Sequence, residues 1–143
     1  MAELVVEEEH LKGLKIMIVD DMGSMRFFIR VCLEMVFPSC VCEEAKNGAA
    51  AMQFLQSREF NLILCDWELP GVKGDEILRW IREESQTKDT PFIMITGYNQ
   101  MSYIQKAISL GVTDYVIKPI NCAVLEHKIR RVLNPIMTVD PAQ

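Results

Sequence analysis

The chain has 143 residues, enough for one domain with a real core and too few for two ordinary ones. Half of its residues are hydrophobic, 24% are charged, and the net charge is −5 at pH 7. That acidic balance speaks against a direct nucleic-acid partner, whose phosphates require a basic face. No apolar run approaches the ~18 residues of a transmembrane helix, so no membrane insertion is expected. The acidic stretch Met1–His10 does not read as a secretory signal, and the expected localisation is cytoplasmic.

In chain order, residues 1–13 read as a polar N-terminal extension. A short apolar run, Ile16-Met17-Ile18-Val19, predicts the first strand. Ser24 is the expected N-cap of a helix in which Met25, Phe28, Ile29, Cys32, Leu33 and Val36 form the inward stripe. A second strand is expected over Val41–Ala45 and a helix from about Gly48 to Gln56. Leu62-Ile63-Leu64-Cys65 reads as the third strand, followed by the turn residues Pro70, Gly71 and Gly74 and a helix over about 75–84. Further strands at 92–96 and 114–118 precede helices at about 99–110, stopped by Gly111, and one with Leu125, Ile129 and Val132 on one face. Residues 14–133 thus form one domain of five strand–helix units. Right-handed crossovers build it into an α/β parallel sheet with helices on both faces. Residues 134–143, interrupted by two prolines, read as a C-terminal tail or the start of a linker.

Parallel strands buried on both faces read as near-continuous apolar runs, so polar groups at their ends call for a reason. Asp20 and Asp21 follow the first strand, Asp66 the third, Thr96 the fourth and Lys118 the fifth. Adjacent carboxylates are costly together unless a cation intervenes, and Mg2+ favours a few carboxylates, carbonyls and waters. A carboxylate flanked by a hydroxyl and an ammonium can accept a phosphoryl group, with metal and cations offsetting the developing charge. Five cysteines without a CxxC pair, mostly in apolar runs, are expected to be reduced and buried. His10 and His127 read as surface residues rather than ligands or phosphoryl carriers.

Over about Leu14 to Leu133 these residues resemble the receiver domains of two-component response regulators. The resemblance rests on Asp20-Asp21, on the run Cys65-Asp66-Trp67-Glu68-Leu69-Pro70-Gly71, on Thr96 thirty positions after Asp66, and on Lys118-Pro119 twenty-two beyond. Trp67, Pro70 and Ser24-Met25-Arg26 look most like the small chemotaxis-type members. The resemblance implies a flavodoxin-like sheet of order 2-1-3-4-5, in which the carboxylates of strands one and three meet at the switch point. It implies that Asp66 takes a phosphoryl group from a histidine kinase or phosphotransfer protein in a Mg2+-dependent reaction, in a phosphoacceptor that is not an enzyme in the ordinary sense. Asp21, Asp66 and the backbone carbonyl of Glu68 would hold the metal, with Asp20 acting mostly through water. Thr96 and Lys118 would contact the phosphoryl group. Tyr115 takes the switch-aromatic position, and a cis Lys118–Pro119 peptide is implied. Output would run through the fourth helix, fifth strand and fifth helix, including Lys106, Tyr115 and Lys128. The chain would be a monomer or a phosphorylation-dependent dimer. Two positions depart from the family's habit: Ile120 stands where an aromatic is frequent, and Tyr98 is bulky.

Other functions are set against this reading. The receiver could belong to a longer regulator whose output domain lies past residue 143. An aspartyl-phosphate hydrolase would use Glu68 as its general acid, but 143 residues show no substrate-binding cap. A pseudo-receiver acting only as a binding module is hard to reconcile with five intact site groups.

Overall fold

The computed structural model describes residues 8–133. A 3-10 turn (Glu9–Leu11) precedes β1 (Lys15–Val19), α1 (Gly23–Val36), β2 (Val41–Ala45), α2 (Gly48–Ser57) and β3 (Leu62–Cys65). Then follow α3 (Gly74–Glu83), β4 (Phe92–Thr96), α4 (Met101–Ser109), β5 (Asp114–Ile117) and α5 (Cys122–Leu133). All strand pairs are parallel and the sheet order is β2-β1-β3-β4-β5, the doubly wound order that the resemblance implies. The expected tail, residues 134–143, lies outside the described residues.

Strand side chains alternate between two cores because successive residues point to opposite faces of the pleat. Met17, Val19, Ile63, Cys65 and Met94 meet α2, α3 and α4 through Ala51, Leu55, Ile77, Leu78, Ile81 and Ala107. Ile16, Ile18, Leu62, Leu64, Ile93 and Ile95 meet α1 and α5 through Ile29, Leu33, Leu125 and Ile129. The central strands β1, β3 and β4 are therefore apolar apart from their ends. Any polar side chain they carry must sit at an end.

Four details differ from the sequence reading. Ser24 is not the cap of α1. Met22 occupies that position without a side-chain bond, and Asp20 Oδ1 instead accepts the Met22 N–H at 2.9 Å. Phe28 does not join the inward stripe: it is exposed along with Phe27, Val31 and Met35, while Ile29, Cys32 and Leu33 face the core. Leu11, read as part of a polar extension, is buried among the residues of the α1/α5 core. The expectation of five reduced cysteines fails for two of them, since Cys32 of α1 is disulfide-bonded to Cys122 of α5. Spacing along the sequence cannot see that pairing, because the two lie 90 residues apart and meet only once both helices pack on one face. Cys40, Cys42 and Cys65 take part in no disulfide, and Cys65 is buried.

Candidate functional site

The strand registers bring the polar ends level. Val19 pairs with Cys65 and Cys65 with Met94, so Asp20 and Asp66 each stand one step beyond a paired residue on adjacent strands. Backbone bonds extend the ladder to these ends: Asp66 N–H donates to Val19 O at 2.9 Å, and Lys118 N–H donates to Thr96 O at 2.9 Å. The Lys118–Pro119 peptide bond is cis.

One carboxylate oxygen from each of Asp20, Asp21 and Asp66 falls within 4.8 Å of the others. Asp20 and Asp66 are buried and Asp21 is exposed, which leaves the cluster open on one side. Lys118 Nζ donates to Asp20 Oδ2 at 2.8 Å and to Asp66 Oδ2 at 2.9 Å. One ammonium thus faces three carboxylates, and the remaining negative charge on hard oxygen donors fits a divalent cation such as Mg2+. Burial alone would pull the Lys118 pKa down. Its bonds to the two carboxylates outweigh that, and the net shift is upward.

Backbone groups aim Asp66. Its Oδ1 accepts the Glu68 N–H at 3.3 Å, and the β3–α3 loop folds back so that Gly74 N–H donates to Trp67 O at 2.8 Å. Only glycine fits at position 74, because a Cβ there would run into the Asp66 carbonyl oxygen and the Trp67 Cα. Gly71 adopts φ +73°, the left-handed turn that glycine reaches without strain.

Thr96, buried at the end of β4, accepts the Tyr98 N–H on its Oγ1 at 3.3 Å. Tyr115 is half-buried, and its O–H donates to the Tyr98 carbonyl at 2.7 Å. Burial first, and the Asp66 charge second, push the Tyr115 phenol up to about 12. The Glu68 side chain points to solvent, where Lys73 Nζ donates to it at 2.6 Å and the Tyr98 hydroxyl donates to its other oxygen. Tyr98 stacks on Tyr103 with ring centroids 4.3 Å apart, and Tyr103 meets Trp67 edge-on at 5.0 Å.

The structure thus gathers Asp20, Asp21, Asp66 and Lys118 into one charged pocket. Thr96 ends β4, Glu68 lies on the β3–α3 loop and Tyr115 lies on β5. Sequence reasoning did not single out Lys73 or Tyr103. Lys73 sits in an aperiodic turn, and the Tyr98–Tyr103 stack depends on how α4 enters after β4.

A doubly wound sheet of this order, with an acid pair, a third acid and a lysine at the carboxyl ends of its strands, defines a phosphoacceptor class. The chain belongs to the response regulator receiver domain family, which matches residues 16–130. It is 33% identical over 122 residues to chemotaxis protein CheY-3 of Vibrio cholerae serotype O1, covering 85% of this chain and 92% of that one. It is 34% identical over 124 residues to chemotaxis protein CheY of Pseudomonas aeruginosa, covering 86% and 98%. The solved structure of chemotaxis response regulator CheY4 of Vibrio cholerae superposes with a TM-score of 0.78 at 29% identity, covering 85% of this chain and 99% of that one. The resemblance to single-domain chemotaxis-type regulators therefore extends from motif to fold. Among the described residues no helix is long and apolar enough to cross a membrane.

Proposed function

We propose that this receiver takes a phosphoryl group on Asp66 from the phosphohistidine of a kinase or phosphotransfer protein, in the cytoplasm, and relays the change to a protein target. The observation that carries the reading is the bridge from Lys118 Nζ to both Asp20 and Asp66 inside a three-carboxylate cluster. A structural ion pair needs one acid for one base. Here one base is shared between two acids, and a third carboxylate, Asp21, converges on the same point.

An Asp66 oxygen forms the new bond to phosphorus as the donor's N–P bond breaks, and the leaving imidazole nitrogen keeps its electron pair and takes up a proton. Asp20, Asp21, Asp66 and the Glu68 carbonyl would hold Mg2+, which when bound offsets charge on the transferring oxygens. Lys118, released from part of its bridge, neutralises a phosphoryl oxygen as a point charge. The Thr96 hydroxyl donates to another. Phosphorylation and its loss are catalysed by the domain's own residues, and the chain is otherwise not an enzyme.

The test is labelling by acetyl phosphate. One phosphoryl group per chain is expected with Mg2+, none after chelation, and none in Asp66→Asn. Label that persists in Asp66→Asn overturns the assignment, and sustained turnover of phosphate monoesters would favour a hydrolase.

A further inference from the structure

We propose that Cys32 and Cys122 are a reversible thiol–disulfide site that fastens α1 to α5 and tunes phosphoryl acceptance; the second half rests on the receiver reading. Their Cα atoms lie 5.6 Å apart, within the span a disulfide bridges without moving backbone. Ile29 and Leu33 of α1 share one core with Leu125 and Ile129 of α5, which brings the two helices together beside the cysteines. Cys32 is buried and Cys122, the first residue of α5, is half-buried, so a small reagent meets Cys122 first. The N-terminal end of a helix favours negative charge, which suits a thiolate there. Disulfides that form in reducing compartments are mostly redox-sensing ones.

The chemistry needs a low-molecular-weight disulfide of the glutathione class. The Cys122 thiolate attacks one of its sulfurs, and the S–S bond breaks to release one thiolate. The Cys32 thiolate then attacks the Cys122 sulfur of the mixed disulfide and expels the second. Two protein thiols are oxidised, one small disulfide is reduced to two thiols, and the protons pass to the departing thiolates.

The location gives the bond a consequence. α1 starts two residues after Asp21, where Met22 N–H holds Asp20. α5 starts four residues after Lys118, and the Asn121 side chain caps it through Ala123 and Val124. The disulfide therefore joins the helix that grows from the acid pair to the helix that grows from the lysine. Bonded, it adds a covalent tie to the strand hydrogen bonds, ion pairs and packing that align Lys118 with Asp20 and Asp66; reduced, the alignment rests on those contacts without the tie.

The experiment equilibrates the full chain in graded mixtures of reduced and oxidised glutathione, alkylates free thiols and maps peptides by mass. A Cys32–Cys122 cross-linked peptide should appear and vanish reversibly, while Cys40 and Cys42 stay alkylatable. Closing a 90-residue separation should raise Tm by at least ~5 °C in the oxidised chain. The oxidised chain should accept label from acetyl phosphate about threefold faster or more. Cys122→Ser should label at the reduced rate in every mixture, and Cys40→Ser should retain the dependence. No cross-linked peptide at any ratio, or equal labelling rates in both states, overturns the proposal. Failure to label Asp66 in either state overturns the receiver reading instead, and mapping with melting still decides the disulfide.

Discussion

Tyr98 is expected to screen the approach of water to Asp66, and its contacts hold it in place. Its hydroxyl donates to Glu68, which Lys73 also holds, so the β3–α3 and β4–α4 loops are joined across the pocket mouth. The Glu68 bond pushes the Tyr98 phenol up to about 12, and the bonds from Lys73 and then Tyr98 draw the Glu68 carboxyl down. At neutral pH the donor keeps its proton and the acceptor its charge. Loss of an aspartyl phosphate needs in-line attack by water, so removing the screen should shorten the lifetime. Tyr98→Ala is expected to speed loss of the phosphoryl group several-fold, equivalent to about 1 kcal/mol of barrier. Tyr98→Phe keeps the ring stacked on Tyr103 and should stay within about twofold of the parent. Decay of labelled protein after donor removal measures both, and an unchanged Tyr98→Ala rate would exclude the role. Gly74 sets a different limit at this scale. Gly74→Ala should cost about 1–3 kcal/mol in denaturant unfolding, because the methyl group displaces the Asp66 carbonyl.

Among the elements, α1 is fastened to the edge strand β2 by a single acid. Glu44 Oε1 accepts from Arg26 Nε at 2.9 Å and Oε2 from Arg30 Nε at 2.9 Å. Burial alone would raise the Glu44 pKa, but the bonds to Arg26 and Arg30 outweigh it and the net shift is downward. A depressed folded pKa contributes stability that is present above the unfolded value and is lost as pH falls through the folded one. Glu44→Gln should therefore cost about 1 kcal/mol at pH 7. The gap from the parent should close as pH drops below the ordinary glutamate value of 4.5. Urea midpoints across pH 3–7 (a range set by the ordinary glutamate pKa) measure this, and a gap that does not narrow would refute it.

The same elements show what a sequence can reveal. Strands β1, β3 and β4 were legible because burial on both faces makes them continuous apolar runs, and the candidate site was legible because Asp20 and Asp66 follow β1 and β3, Thr96 ends β4 and Lys118 follows β5. The outer face of α1 was not. Phe28 sits one residue from Ile29, where a helical stripe blurs, and only packing against α5 decides which of the two turns inward. Ser24 misled for a related reason: the Asp20 carboxylate reaches the Met22 N–H first. Leu11 looked isolated in polar sequence, and its burial depends on a cavity formed by distant elements.

At the scale of the whole molecule, a charge added at one pocket must be felt on a face some distance away. Phosphorylation adds about −1.5 to −2 charges, and it acts elsewhere only by biasing an element with two arrangements. Tyr115 is proposed as that element; it lies on β5 and lines a shallow groove with Ile104, Ile108, Ile117 and Lys128. In the described chain its ring already packs toward the α2–α4 core and its hydroxyl is bonded to Tyr98 O, one loop away from Thr96. Phosphorylation then need only firm this inward arrangement, by drawing Thr96 and with it the β4–α4 loop toward the phosphoryl group. Target binding should tighten when the pocket holds a beryllofluoride phosphoryl mimic. Tyr115→Ala should abolish that tightening. Tyr115→Phe loses one neutral hydrogen bond of about 1 kcal/mol and should shrink it several-fold. Both variants should still label on Asp66, since neither removes a group of the charged pocket. Calorimetric titration of each variant with and without beryllofluoride measures the ratio. A Tyr115→Ala chain that keeps the parent's ratio would show that the signal leaves the pocket by another element.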